Sequence, residues 1–475
     1  MRIVMKFGGT SISDGNNIRH VAQLLKDYYD SGYEVVAVTS ALGSVTDGLL
    51  SNAIEVSKKG KVSQIKEFIS DLTHKHYSAI HEAIDDEDII DETIQTIDCR
   101  VDELEKALIG ICYLGELTPR SIDYISSYGE RLAAPIVSGA IRSIGIKSKM
   151  YTGGDVGIVT DNEYGNAKPL EQSYQKVGET LRPVLSECIP VVTGFIAENK
   201  DGVITTLGRG GSDFSASIIG ASIDADEIWL WKEVHGIMTT DPKIVPEARS
   251  MSWISYAEAM ELSYFGARVL HPRAIEPAIR NGIPVRVKNT FEPDFSGTLV
   301  VSEQRPTEDV VKAVTLIKKV SLVNISGAGM VGTIGTAARV FNSLADANVN
   351  IIMISQASSE SNMSIVVDED HLEAAVNAIN SEFDKNVIKD VTYDNNICVV
   401  AVVGAGMAGI PGVSGRVFSS LGKDNINVIT ISQGSSQHNI SFVVSEEEAF
   451  DAVRVLHKEF ELESKKREEI NWETV

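Results

Sequence analysis

A chain of 475 residues, 43% of them apolar, is too long for a single hydrophobic core and predicts two to four globular domains. Its 43 Lys and Arg against 66 Asp and Glu leave a formal charge of −23, which argues against nucleic acid and anionic membrane surfaces as partners. A small anionic substrate stays open, because a few donors in a cleft outweigh the long-range field.

The first segment, "MRIVMKFGGTS", enters a strand (Arg2 to Phe7) and a glycine turn with no signal-type apolar stretch before it. Up to about residue 300, β-branched runs alternate with amphipathic segments. Glu34 to Ser40, Ile189 to Gly194, Val203 to Leu207, Glu227 to Trp231 and Pro284 to Val287 read as further strands. Asn16 to Tyr29, Pro119 to Arg142, Glu171 to Ser186 and Ser212 to Ile223 read as helices. The alternation predicts an α/β fold, a mostly parallel sheet with helices on both faces. Between 60 and 118 long charge-rich helical periodicity interrupts it, which reads as a helical insertion. The polar, proline-bearing stretch 302–312, "SEQRPTEDVVK", is the expected linker. Cys99, Cys112, Cys188 and Cys398 are scattered singly, no stretch of 18 apolar residues occurs, and a cytoplasmic location without membrane contact is expected.

Beyond the linker, "GAGMVG" at Gly327 returns as "GAGMAG" at Gly404, an offset of 77 residues that also aligns Ser355-Gln356 with Ser432-Gln433, Asn362 with Asn439 and Phe383 with Phe460. Each copy runs strand, glycine turn, helix (Thr336 to Ala347; Ser414 to Lys423), strand (Asn350 to Gln356; Asn427 to Gln433), strand (Asn362 to Val367; Asn439 to Val444) and helix. That is a ferredoxin-like βαββα pattern needing one completing strand. G-x-G-x-x-G is also the dinucleotide fingerprint, but the unit is too compact for a Rossmann half, and Ser-Gln stands where an acidic residue would hold the ribose. The expected organisation is therefore 1–301, linker 302–312, a first repeat at 313–388 and a second at 389–475 with a charged tail.

Three stretches carry chemistry. Lys6-Phe-Gly-Gly-Thr-Ser11 ends the first strand, so backbone N–H groups and a lysine charge can meet an anion beside a helix start. An ordinary turn with a surface lysine has the same residues. Gly208-Arg-Gly-Gly-Ser-Asp213 repeats the design at another strand end, its arginine fork suited to a carboxylate; Asp213 can instead be only a helix cap. Glu130, within Ser127-Tyr-Gly-Glu-Arg131, either faces the cleft to take an ammonium group or is a solvated partner of Arg131. A fourth run, Trp231 to Pro242, has turn chemistry after an apolar strand and suits the edge of a nucleotide.

KFGGTS at 6–11, TSA at 39–41, YGER at 128–131, TGF at 193–195, GRGGSD at 208–213, TTDP at 239–242 and FGARVLHP at 265–272 together resemble the aspartate kinases of the amino-acid kinase family, and the duplicated modules resemble their paired ACT domains. The resemblance implies an enzyme using ATP and Mg²⁺ to phosphorylate the side-chain carboxylate of L-aspartate, the first step toward lysine, threonine and methionine. It also implies roles. Lys6, with the amides of Gly8 and Gly9, would neutralise the transferring phosphoryl group, and Asp213 would orient the lysine or the ammonium. Ser40, Thr46, Glu130, Phe195, Arg209, Gly210, Gly211 and Ser212 would hold aspartate, Glu130 at its ammonium and Arg209 at its carboxylates. Lys232, Glu233, Met238, Lys243, Arg268 and Val269 would contact the nucleotide, although Lys232-Glu233 stands where Thr-Asp is usual, Met238 where an aromatic is, Lys243 where arginine is and Arg268 where lysine is. Gln356, Asn362, Gln433 and Asn439 would bind an effector amino acid, threonine before lysine, in a homo-oligomer assembled through the ACT modules.

Two other readings compete: a glutamate or acetylglutamate kinase, against which GRGGSD, FGARVLHP and the tandem tail argue, and a non-catalytic amino-acid sensor supported by the departures at 232, 233 and 238. If Met238 packs on the base and Lys232 supplies charge, Met238→Ala and Lys232→Ala are each expected to raise the Michaelis constant for ATP; steady-state kinetics with varied ATP check this.

Overall fold

The computed structural model describes residues 1–265, 270–302, 310–384 and 386–464. Arg268, Val269, most of the expected linker and the charged tail from 465 lie outside them. The chain forms two compact units. The first comprises Met1–Ile237, Ser252–Tyr256 and Val269–Glu303, the second Met238–Met251, Ala257–Arg268 and Gln304–Val475.

The strands of the first unit are β1 (Arg2–Phe7), β2 (Glu34–Thr39), β3 (Ser148–Tyr151), β4 (Val159–Thr160), β5 (Ile189–Thr193), β6 (Ile196–Asn199), β7 (Ile204–Thr206), β8 (Glu227–Lys232), β9 (Trp253–Ser255), β10 (Val285–Asn289) and β11 (Thr298–Val301). Eight of them form one sheet in the order β3-β5-β2-β1-β8-β10-β11-β9, while β4, β6 and β7 form a small second sheet. Pairing in the large sheet is parallel except between β10 and β11. Strands covered on both faces must be apolar throughout, and β1 fits: Ile3, Val4, Met5 and Phe7 are fully buried. The expected mostly parallel α/β sheet is present.

Helices α1 (Gly15–Asp30), α2 (Val45–Lys59), α3 (Val62–Ala83), α4 (Glu87–Leu114), α5 (Pro119–Ser126), α6 (Tyr128–Ser143), α7 (Gln172–Leu181), α8 (Gly211–Ile223) and α10 (Glu276–Arg280) complete this unit, and α9 (Tyr256–Tyr264) starts in it and continues in the second. The charge-rich stretch 60–118 folds as α3 and α4, whose Ile65, Leu72, Ile97 and Leu104 join the core of β1, β2 and α6. This insertion also bonds to two glycine turns. Lys75 donates to the Gly43 carbonyl, and Glu82 accepts from the Gly15 amide at 3.1 Å.

The single helix expected from Pro119 to Arg142 is instead two, parted at Ser127. The hydroxyls of Ser126 and Ser127 donate to the carbonyls of Asp123 and Tyr124, three residues back, and such side-chain bonds compete with helical ones.

In the second unit, β12 (Ala313–Ser326), β13 (Ile351–Gln356), β14 (Asn362–Asp368), β15 (Asp390–Val403), β16 (Thr430–Ser432) and β17 (Asn439–Ser445) make one antiparallel sheet, ordered β13-β14-β12-β15-β17-β16. Helices α11 (Thr336–Asp346) and α12 (Leu372–Glu382) accompany the first repeat, α13 (Val413–Lys423) and α14 (Ala449–Glu459) the second. The strand expected from Asn427 shrinks to Thr430–Ser432, and each glycine turn passes through a short 3₁₀ segment before its helix.

The two long strands explain where the completing strand of each repeat comes from. Ala313–Ile317 of β12 pairs with Val399–Val403 of β15, beside β17 of the second repeat; Val320–Ser326 of β12 pairs with β14 and with the first half of β15. Each repeat thus closes its sheet with half a strand that leads into the other. Two cores result, one around Val323, Ile325, Val340 and Ile365, the other around Val314, Val400, Val417 and Phe442.

Candidate active site

Parallel pairing of β1 with β8 sets Lys6 opposite Leu230, so Lys232, two residues further along β8, emerges on the same face as Lys6. Between their side chains lies Asp213, in the first turn of α8. Its Oδ1 is 2.6 Å from Lys6 Nζ and its Oδ2 is 3.1 Å from Lys232 Nζ. Helix α8 is capped by Gly210, so Asp213 is not the cap; it is an ion-pair partner only 5% exposed. Two cations on one carboxylate leave this buried cluster with a net positive charge.

Burial pushes the Asp213 carboxyl up, but Lys6 and then Lys232 pull it down further, to about 2. Burial lowers the Lys6 ammonium below its ordinary value; Asp213 opposes the shift and Lys232 adds to it. The two directions agree physically: the carboxylate has two cations, and each lysine has half a carboxylate.

The loop before α8 owes its shape to glycine. Gly208 and Gly210 have φ of 76° and 72°, a region that side-chain-bearing residues rarely enter. Phe195, opposite, is held at φ 65° by its amide bonding to Ser215 Oγ (3.0 Å) and its carbonyl accepting from Leu207 N (2.9 Å). A bulky residue kept there marks a functional constraint.

Glu130 enters from the first turn of α6. It is 4% exposed and does not pair with Arg131, which bonds Glu103 at 2.9 Å. Gly129 makes this approach possible: a Cβ there would fall 2.7 Å from Ala41 Cβ and 3.0 Å from Thr46 Oγ1. Burial pushes the Glu130 carboxyl up to about 8, against the pull of its own and the Ala41 backbone amides and of Lys6. Its Oε2 has no hydrogen-bond partner among the described residues. A buried carboxyl in that condition is suited to a cation.

Lys6, Thr46, Glu130, Phe195, Gly210, Gly211, Ser212 and Asp213, read from five separate stretches of sequence, line one cleft of about 220 Å³ with Gly208. Ser40 follows β2 and is held by its amide on the Phe7 carbonyl (3.2 Å). Arg209 is exposed at the loop tip. One expectation changes: the Gly8 N–H is turned onto the Trp231 carbonyl at 3.3 Å, because β1 and β8 stay in register at this point, so Gly8 is not the anion donor that the motif suggested. Lys232 belongs to the Asp213 cluster, and Glu233 beside it is exposed. Met238 and Lys243 fall in the second unit.

The sequence did not single out His271 or Asp123. His271 packs where Gly210 needs to lack a side chain, a Cβ there falling 2.9 Å from His271 Cβ, and its Nδ1 is buried without a partner among the described residues. The HP of FGARVLHP was the only hint. Asp123 is fully buried beneath the same loop, and nothing local in "RSIDYISS" distinguishes it from a surface helix carboxylate.

In the second unit, Gln356 lines a cavity of about 290 Å³ with Met330, Thr333, Thr336, Glu360 and Met363. Asn362 and Gln433 are exposed, and Asn439 donates to Glu261 of α9. From the same helix Glu258 meets Lys312 at 3.2 Å and the Ala405 amide at 2.9 Å.

Comparison with known proteins also separates a kinase part from two repeats, although the kinase match includes the segments 238–251 and 257–268 that the structure puts in the second unit. Residues 1–289 match the amino acid kinase family, and 323–383 and 400–460 each match an ACT domain. Aspartokinase 1, chloroplastic, of Arabidopsis thaliana is 34% identical over 470 residues, covering 96% of this chain and 80% of that protein. The chain belongs to the aspartokinases. It is therefore a kinase. A bifunctional aspartokinase/homoserine dehydrogenase 2, chloroplastic, of Arabidopsis is 33% identical over 96% of this chain, which spans about half (50%) of that protein. Among solved structures, E. coli aspartokinase III in complex with aspartate and ADP (R-state) superposes with a TM-score of 0.78 at 25% identity, covering 97% of this chain and 99% of the other. The same enzyme in complex with lysine and aspartate (T-state) gives 0.81 at 25% identity, covering 96% and 99%. No helix among the described residues is long and apolar enough to cross a membrane.

The raised Glu130 carboxyl has a stability consequence. Between its ordinary value of 4.5 and about 8 the folded chain keeps a proton that the unfolded chain has released, so this group makes stability fall as pH rises through that window. Glu130→Gln is expected to raise the melting temperature by a few degrees at pH 8 and by much less at pH 5, measured by calorimetry at both.

Proposed function

We propose that this aspartokinase transfers the γ-phosphoryl group of ATP to the side-chain carboxylate of L-aspartate, giving 4-phospho-L-aspartate and ADP, on the way to lysine, threonine and methionine. The observation that carries the reading is that Lys6 and Asp213, the latter also paired with Lys232, line one cleft with Glu130.

The substrate carboxylate is already ionised at neutral pH and attacks phosphorus directly. One O–P bond forms, the bond to the ADP oxygen breaks, and no proton needs to be removed, so catalysis reduces to alignment and charge stabilisation. The substrate ammonium goes to Glu130, whose missing partner it supplies. Arg209, on its glycine-flanked loop, takes the carboxylates bidentately. Lys6, aimed by Asp213, meets charge spreading over the transferring oxygens. Asp213 is engaged by two lysines, so among the described residues the cleft offers no free carboxylate pair; Mg²⁺ would come with the ATP phosphates and neutralise their charge.

Regulation falls to the ACT pair, and the Gln356 cavity is the effector site. A Thr333 and Thr336 hydroxyl lining suits threonine. Edge strands β13 and β16 expose Ile354 and Ile431, which fits a homo-oligomer assembled through these modules. Four unpaired cysteines fit a reducing setting such as the cytoplasm.

Purified protein is expected to form aspartyl hydroxamate only with both ATP and aspartate, and Lys6→Met to lower kcat by about 10²–10³-fold; hydroxamate formation with neither glutamate nor aspartate supports the sensor reading instead. The kcat/KM for aspartate should rise with pH toward about 8 as Glu130 ionises, and Glu130→Gln should abolish that limb. Gln356→Ala is expected to weaken inhibition by threonine at least tenfold with basal kcat kept, read from inhibition curves.

A further inference from the structure

The two substrate clamps, Glu130 on α6 and the Arg209 loop after β7, lie far apart in sequence, and one buried residue joins them. Asp123, on α5, is fully buried. Its Oδ2 accepts from the Thr206 amide at 2.9 Å and the Gly165 amide at 3.0 Å, and its Oδ1 accepts from the Thr206 hydroxyl at 2.8 Å. Thr206 is the last residue of β7, two positions before Gly208. Gly165 and Asn166 form the surface on which Gly208 rests: a Cβ on Gly208 would fall 2.9 Å from Asn166 Oδ1 and 3.0 Å from the Gly165 carbonyl. The side chain of Asp123 therefore fixes both sides of the base of the Arg209 loop.

Its backbone fixes the other clamp. The Asp123 carbonyl accepts from the Ser127 amide at 3.1 Å and from the Ser126 hydroxyl at 3.2 Å. Those serines form the break from which α6, and Glu130 in its first turn, departs. A carboxylate buried among neutral donors is costly unless each donor is well placed, and burial does raise this group while the Gly165 and Thr206 donors hold it down.

We infer that Asp123 is a positioning residue that sets the distance between the ammonium clamp at Glu130 and the carboxylate clamp at Arg209, and so makes the site discriminate a four-carbon diacid from its five-carbon homologue. The inference rests on the aspartate reading above. With one bond to the loop base lost, the gap loses its fixed width; the shorter substrate suffers first and the longer one is tolerated better.

The test compares wild type, Asp123→Asn and Thr206→Val, each with L-aspartate and L-glutamate at saturating ATP, and then with varied ATP at saturating aspartate. Asp123→Asn is expected to raise the aspartate KM at least tenfold, to leave the ATP KM within about threefold, and to narrow the aspartate-to-glutamate ratio of kcat/KM at least tenfold. Thr206→Val removes one of the three bonds and should shift the same ratio in the same direction by a smaller factor, which decides the matter should Asp123→Asn fail to fold. An unchanged aspartate KM and ratio in the folded variants overturns the inference, as does a loss of kcat with both KM values and the ratio unmoved. A wild-type protein without aspartate-dependent phosphoryl transfer overturns the aspartate reading and this inference together, whereas an active wild type with silent variants overturns this inference alone.

Discussion

The first unit is organised around a carboxylate that cannot be neutral. Asp213 is buried among strand ends, and a carboxylate moved out of water needs cations at hydrogen-bond distance. Two come from adjacent strands: Lys6 stands one residue before the end of β1 and Lys232 ends β8, and parallel register puts them on one face. The requirement runs both ways, since a buried lysine without Asp213 would shed its proton. Removing one partner of such a buried pair costs about 3–5 kcal/mol, so β1, β8 and α8 are tied at the floor of the candidate cleft. On the proposed reading, Lys6 would meet a phosphoryl group as part of a cluster whose net charge is positive.

Much of this was legible in the sequence wherever the signal is local. The strand read from Arg2 to Phe7 is β1 residue for residue, since a run buried on both faces has no amphipathic alternative. GRGGSD read as a glycine-rich turn between a strand and a helix, and it is one, with Gly208 and Gly210 at positive φ. The 77-residue offset predicted the tandem ferredoxin-like modules. What escaped depends on long-range partners. Lys232 read as a departure at a nucleotide site because nothing in "WKEV" tells that Asp213 stands beside it. The break at Ser127 was hidden in a continuous helical period, and Asp123 meets Thr206 across 83 residues. Short elements such as β4 and β9, and helix α2, carry too few residues or too little contrast to stand out.

The helical insertion, legible as such in the sequence but not in its purpose, has a physical role beyond bulk. Its α3 presents Lys75 to the Gly43 carbonyl and Glu82 to the Gly15 amide, so the turn after β2 and the start of α1 are both held from outside the sheet. The turn after β2 needs that support: Ser44 has φ of 64°, and a Cβ on Gly9 would fall 3.1 Å from the Ala41 carbonyl. A loop so close to Lys6 and Glu130 gains order from a helix that contributes nothing to the chemistry itself.

Strands β12 and β15 have a further implication. Because each repeat borrows its last half-strand from the lead-in of the other, the visible seam between the copies near residue 389 is not a mechanical seam. Separating the copies there would break the β12–β15 pairing in both halves of the six-stranded sheet, leaving unpaired edges on both sides. What reads as a pair of exchangeable cassettes is, by its strand pairing, one piece.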